Sequence, residues 1–193
     1  MAQTFQLGPT GGGDPRLETL LSELEIARRF TVSIVRGLTA DELAAKPQET
    51  RNSIGAILSH LAAAERLMQR ITSLGQPFPA GTEDDRRVFA FEVEPLAGNA
   101  LSAYLAHLEE TRARTRALFA EHDDAWLEEP RTFFGNPANY HYYWLHLLMD
   151  EARHQGQIIL MRKYLMATAD PWFDPYAGLA ADAAGHDADD FGA

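Results

Sequence analysis

The chain contains no cysteine, so disulfides and thiolate metal sites are both excluded, and any metal it binds must be held by His, Asp, Glu or water. Basic residues are few. Against 28 Asp and Glu stand 17 Lys and Arg, a formal net charge of -11, which argues against nucleic acid as a partner because phosphate binding relies on clustered Lys and Arg. The basic clusters that do occur, Arg28-Arg29 and Arg112, Arg114 and Arg116, read as solvated helix faces. Four Asp residues lie after Ala180, so the folded body is somewhat closer to neutral than the total suggests. No apolar run approaches the roughly 20 residues that cross a bilayer, and the N-terminus lacks a basic region followed by a hydrophobic one. The expectation is a soluble, cytoplasmic protein with no membrane partner. An internal repeat, a glycine-rich phosphate loop and a nucleophile elbow are missing as well.

What remains is a chain of 193 residues, 46% hydrophobic, enough for one domain with a sizeable core. Residues 1–13 read as a disordered lead-in ending in Gly11-Gly12-Gly13, residues 14–177 as the folded domain, and residues 178–193 as an acidic, disordered tail. Asp14-Pro15 marks a helix start, and Leu17, Leu20, Leu21, Leu24, Ile34 and Val35 follow at helical spacing to about Gly37. Thr39 to Leu43 resembles a short capped turn of helix, broken by Pro47. A second long helix begins near Asn52-Ser53 with Ile54, Ile57, Leu58, Leu61, Leu67, Met68 and Ile71 on one arc, and His60 falls within that arc. Residues 75–95 read as a long irregular connection, compatible with a crossover. A third helix carries Leu101, Tyr104, Leu105, Leu108, Thr115, Leu118 and Phe119, with His107 and His122 read as surface residues. A second connection, residues 123–138, holds Trp126, Phe133 and Phe134, read as packing for the end of the helices. The last long helix runs from about Asn139 to Ala167, and Pro171 to Tyr176 is expected to fold back over that end. Helical periodicity almost throughout predicts an all-α fold, most simply a four-helix bundle.

The last helix carries the chemistry. His146, Asp150 and His154 recur every fourth residue and so stack on one face, which also holds Tyr143, Leu147, Ile158, Met161 and Leu165. Metal-competent side chains inside an apolar stripe need partners, because burying unpaired polar groups is costly. A divalent cation is one such partner; a buried His–Asp hydrogen-bonded pair is the alternative. His60, on another core face, adds a third ligand-competent group. Two imidazoles and a carboxylate leave positions open for water or substrate, the arrangement of a catalytic site.

The stretch Ile57-Leu58-Ser59-His60-Leu61-Ala62-Ala63-Ala64-Glu65-Arg66, followed by Asp150-Glu151-Ala152-Arg153-His154-Gln155-Gly156-Gln157-Ile158 and preceded by Leu38-Thr39-Ala40-Asp41-Glu42-Leu43, resembles the DinB/YfiT-like superfamily over about Leu17 to Leu165. The resemblance implies an up-down-down-up four-helix bundle with long crossover connections, a homodimer, and a divalent metal ion, zinc or nickel. The metal site of that family usually takes one His from the second helix and a His-x-x-x-His pair near the C-terminus. Matched residue by residue, these fall on His60, Asp150 and His154. Asp150 is a departure, standing where many relatives have His and where members resembling mycothiol-dependent enzymes carry a carboxylate, usually Glu.

The resemblance further implies a transferase that activates a low-molecular-weight thiol at the metal. With no cysteine in the chain, the nucleophilic sulfur must come with the substrate. Two alternatives stand beside it: a hydrolase using metal-bound hydroxide, and a non-catalytic stress-response binding protein. His146 is placed outside the ligand set, as a residue that can orient a ligand or water. Glu65 and Arg153 are read as solvated helix charges, with influence on a charged substrate as the other reading.

Overall fold

The computed structural model describes residues 7–9, 13–47, 52–91 and 100–165, so most of the lead-in, the segment Pro171 to Tyr176 and the acidic tail lie outside the described residues, as does the Leu165 side chain. Four long helices dominate: α1 (Pro15–Val35), α3 (Ile54–Ser73), α5 (Leu101–Ala120) and α7 (Tyr140–Leu165). A short α2 (Ala40–Ala44) lies between the first two. α3 packs against both α5 and α7, and α1 packs against α7 and, less extensively, α5. The all-α expectation holds. Among the described residues no helix is long and apolar enough to cross a membrane.

Local chemistry sets the helix starts. Pro15 opens α1, but Asp14 does not cap its own helix with its side chain. Asp124 does so instead, accepting from the backbone N–H groups of Arg16 and Leu17 at 3.1 and 2.9 Å, while Asp14 accepts from Asp124 N–H at 2.9 Å. The two ends thereby cap each other across the fold. Thr39 and Glu42 form the reciprocal capping box of α2, and Ser53 caps α3. On α3, Gly55 has no substitute, since a Cβ there would sit 2.6 Å from the Tyr104 hydroxyl oxygen.

Both connections hold more structure than their composition suggests. The first contains α4 (Glu83–Phe89), opened by a Thr82/Asp85 capping box and tied to α3 by an Arg70–Asp85 ion pair at 3.0 Å. The second contains α6 (Asp124–Leu127) and an antiparallel hairpin of β1 (Pro130–Phe133) and β2 (Asn136–Asn139). Phe134 and Gly135 make its two-residue turn with φ of 47° and 78°, the left-handed pair that a type I′ turn requires. Phe78 docks against the hairpin, donating its N–H to Thr132 O at 3.0 Å and accepting from Phe134 N–H at 2.6 Å. Trp126 packs at the end of the helices against Phe119 and Tyr140, whereas Phe134 stays exposed. His122 is also half-buried, stacked flat on Trp126 at 4.3 Å, and His107 is half-buried beside Arg66.

The core is divided in two by a layer of charge. One apolar cluster includes Leu24, Leu67, Phe119 and Leu147; the other includes Ile34, Leu61, Leu108 and Ile158. On each long helix one buried Arg or Glu falls between those positions: Arg28, Glu65, Arg112 and Glu151. Arg28 pairs with Glu151 at 2.8 Å and Glu65 at 2.9 Å, and Arg112 pairs with Glu65 at 2.7 Å. Thr115 donates to Glu65 at 2.5 Å and Thr31 to Glu151 at 2.7 Å. Glu65 and Arg112 are each 0% exposed. The solvated reading of Glu65, Arg28 and Arg112 is therefore wrong, whereas Arg114 is exposed as that reading has it. Two positive and two negative groups neutralise one another, and hydrogen bonds fill most of their remaining capacity, which is what burial of charge demands.

Candidate metal centre

α3 supplies His60, and α7 supplies Asp150 and His154 from successive turns. One ligand atom from each lies within 4.8 Å of the others. His60 Nε2 is 3.3 Å and His154 Nε2 is 3.6 Å from the same Asp150 oxygen, Oδ2. The other carboxylate oxygen, Oδ1, accepts from the exposed Arg153 guanidinium at 2.6 Å. Both imidazoles are buried and Asp150 is half-buried.

The second nitrogen of each imidazole decides what the first can do. His60 Nδ1 lies 3.1 Å from the Val88 carbonyl at the end of α4. A carbonyl only accepts, so Nδ1 carries the proton and Nε2 of the neutral ring presents a lone pair. His154 Nδ1 faces the Gln157 amide oxygen at 2.7 Å, an orientation of the amide that likewise leaves Nε2 with the lone pair. Three acceptor atoms then converge with no donor among them. A cation satisfies all three, and the partners on Nδ1 are the outer support that metal-ligating histidines normally have. The donor set fits a divalent metal ion.

The electrostatics agree. Burial pushes the Asp150 carboxyl up, but the neighbouring His60, His154 and Arg153 outweigh that and hold it below the usual range, as carboxylate. Burial draws His154 down despite the neighbouring Asp150, favouring the neutral, ligating ring. His146 is likewise drawn down by burial.

A cavity of about 350 Å³ opens over the three residues. Its polar side is Asp150, Arg153, His154 and Gln157; its apolar side is carried by Phe78, Phe89, Phe134 and Met68. Phe91 stacks on His60, ring centroids 3.9 Å apart and planes 11° from parallel. A larger and more open cleft, about 780 Å³ between Thr72, Glu121 and Arg131, contains none of the clustered ligand atoms.

The structure therefore brings His60, Asp150 and His154 together. His146 lines the same cavity but stands outside that group, its ring against Phe133 and Phe78 at 4.7 and 5.7 Å. Arg153 is exposed, as expected, yet it engages Asp150 directly. Gln157, Val88 and the phenylalanine wall escaped sequence reasoning. Gln157 was within reach of it, three residues beyond His154 on the same helix face. The Val88 contact uses a backbone carbonyl, and the phenylalanines come from connections with no periodicity to mark them.

A family model described as Mycothiol-S-transferase matches residues 19–167, a span that contains every residue of the cluster and nearly all of the four long helices. No curated protein matches the sequence.

Proposed function

The chain belongs to the mycothiol S-transferase family, within the DinB/YfiT-like metalloenzyme superfamily, and from that premise we propose that it transfers a low-molecular-weight thiol, mycothiol in the first instance, to an electrophile, with a divalent cation held by His60, Asp150 and His154. The observation that carries this reading is the convergence of three lone-pair atoms whose imidazole partners are already fixed by Val88 and Gln157. When bound, the cation supplies the Lewis acidity that keeps a thiol as its anion at neutral pH. The chain's own residues do the rest. Val88 and Gln157 hold the imidazoles in one tautomer and orientation. Arg153 occupies one oxygen of Asp150 and leaves the other facing the histidines. The phenylalanine wall keeps water from one side of the cavity. With no cysteine available, the chain contributes no sulfur of its own.

Two imidazoles and a carboxylate suit zinc or nickel. The hydrolase and binding-protein alternatives lose ground to the family match. A cytoplasmic location follows from the need for a reduced thiol. We read the long helices as the up-down-down-up bundle, because the long connection 74–100 lies between α3 and α5, where that topology needs its crossover. We read the active form as a homodimer built on the outer face of α7, where Tyr142, Leu145, Met149 and Leu160 are exposed.

The deciding experiment loads the purified protein with zinc or nickel and measures turnover of a generic electrophile with mycothiol, before and after complete metal removal. Activity that needs both thiol and metal is expected. Activity surviving metal removal would overturn the mechanism, and thiol-independent ester hydrolysis would favour the hydrolase.

A further inference from the structure

We propose that the electrophile is a small, uncharged aromatic molecule seated against Phe89 and Phe134 on the apolar side of the cavity; the proposal rests on the S-transferase reading and names the substrate class for the same site. Phe78 is buried at the base of that wall, with Phe89 and Phe134 standing edge-to-face on it at 5.5 and 5.4 Å. Phe89 and Phe134 lie 6.2 Å apart and tilted by 37°. They are 43% and 57% exposed, the two exposed large hydrophobics among the described residues that line this cavity.

Packing alone does not account for either ring. Phe134 occupies a left-handed turn position where Asn or Gly is the ordinary choice and a bulky side chain is disfavoured. More than half of its surface then faces solvent, so burial does little to offset the backbone cost. A strained, exposed aromatic at the lip of a site points to a ligand that covers it. The phenylalanines bear no charge, and Arg153, the one Lys or Arg among the described residues lining the cavity, is engaged by Asp150. An anionic electrophile placed against the phenylalanines would lose water and meet the negative faces of their rings, and a cationic one would share the small cavity with Arg153 and the bound metal ion. A flat neutral ring would gain edge-to-face contacts with both. At about 350 Å³ the cavity is near the small end of ligand sites, which suits a ring of modest size beside the thiol.

For a haloaromatic, the sulfur lone pair forms the new carbon–sulfur bond at the ring carbon bearing the halogen. The carbon–halogen bond breaks with its electron pair, halide departs, and the thiol proton passes to buffer.

The test separates binding from turnover. Meta-dinitrobenzene has no leaving group and reports binding alone, by calorimetry; chlorodinitrobenzene with mycothiol reports transfer. In the Phe89→Ser/Phe134→Asn double variant, where Asn suits the turn and so preserves the hairpin, the Kd for meta-dinitrobenzene should rise about tenfold. The KM for chlorodinitrobenzene should rise by a similar factor while kcat and the thiol KM stay put. Leu74→Ser, at an exposed leucine away from the cavity, should leave binding unchanged. Equal affinity in parent and double variant overturns the proposal, as does displacement of meta-dinitrobenzene by iodoacetamide at similar concentration. Loss of binding in the double variant, with no turnover by any thiol in the parent, retains the aromatic subsite and sinks the transferase reading. Transfer to iodoacetamide without binding of meta-dinitrobenzene does the reverse.

Discussion

His60 and His154 each spend one ring nitrogen on the protein and keep the other for the centre of the cluster. That division of labour gives Gln157 a measurable weight. Gln157→Ala should weaken metal binding by about 10- to 100-fold with little effect on the helical fold, as loss of an outer hydrogen bond to a ligating histidine does. Chelator competition measures it directly. His146→Ala should leave metal stoichiometry unchanged, whereas His60→Ala should lose it; equal loss in both would place His146 among the ligands. The pair Asp150 and His154 was legible because their spacing is that of one helix face, and His60 because it lay within an apolar arc. Its orienting partner was not legible, since any residue type can offer a carbonyl.

Among the elements, α7 has two faces that serve different ends. The inner one carries the cluster, and the outer one exposes Tyr142, Leu145, Met149 and Leu160 along a line that passes Ala152 and Gly156. Small residues between large ones let a partner helix come close, and at Gly156 no neighbouring atom lies within 4 Å of a built Cβ. Met149→Asp should therefore convert a dimer to monomer in light scattering while metal binding persists; a parent that is monomeric across a wide concentration range would remove the interface. The long helices were readable from periodicity, the start of α1 from Asp14-Pro15 and the caps of α2 and α3 from Thr39 and Ser53, whereas the capping of α1 by the distant Asp124 was not. The hairpin was not. Its strands are four residues each and contain Pro130, Pro137, Asn136 and Asn139, which have low strand propensity, so its pairing depends on the turn and on Phe78. α4 left a visible trace in Thr82 and Asp85, but at seven residues its apolar pattern is too short to see.

For the whole molecule, the layer of Arg28, Glu65, Arg112 and Glu151 decides how the fold responds to acid. Burial pushes the Glu65 carboxyl up, but Arg112 and Arg28 outweigh it and hold it below its ordinary value of 4.5. The unfolded chain then takes up the proton first as pH falls. The stability contributed by Glu65 is fully present above about pH 4.5 and drains away as pH drops through its lower folded value. Glu65→Gln should cost about 3–5 kcal/mol, because it leaves two buried arginines with the single carboxylate of Glu151, and should flatten that part of the acid limb. Denaturant melts at stepped pH measure both. Each of these charges alone looks like a surface residue, and that is how Glu65 was misread. The signal lay in their placement, for each interrupts an apolar stripe at helical spacing, as Leu61, Glu65 and Met68 do on α3.

Asp150 and Glu151 are neighbours on α7, separated by about 100° around its axis. Asp150 faces His60 across the cavity and Glu151 faces Arg28 in the charged layer. Turning the helix to favour one acid withdraws the other, so α7 has a single angular setting. Sliding it by one turn along α1 would put Leu147 or Gln155 opposite Arg28 in place of the Glu151 carboxylate, so it has a single axial setting too. The two carboxylates together act as a key and its stop, fixing where α7 stands before any ligand arrives.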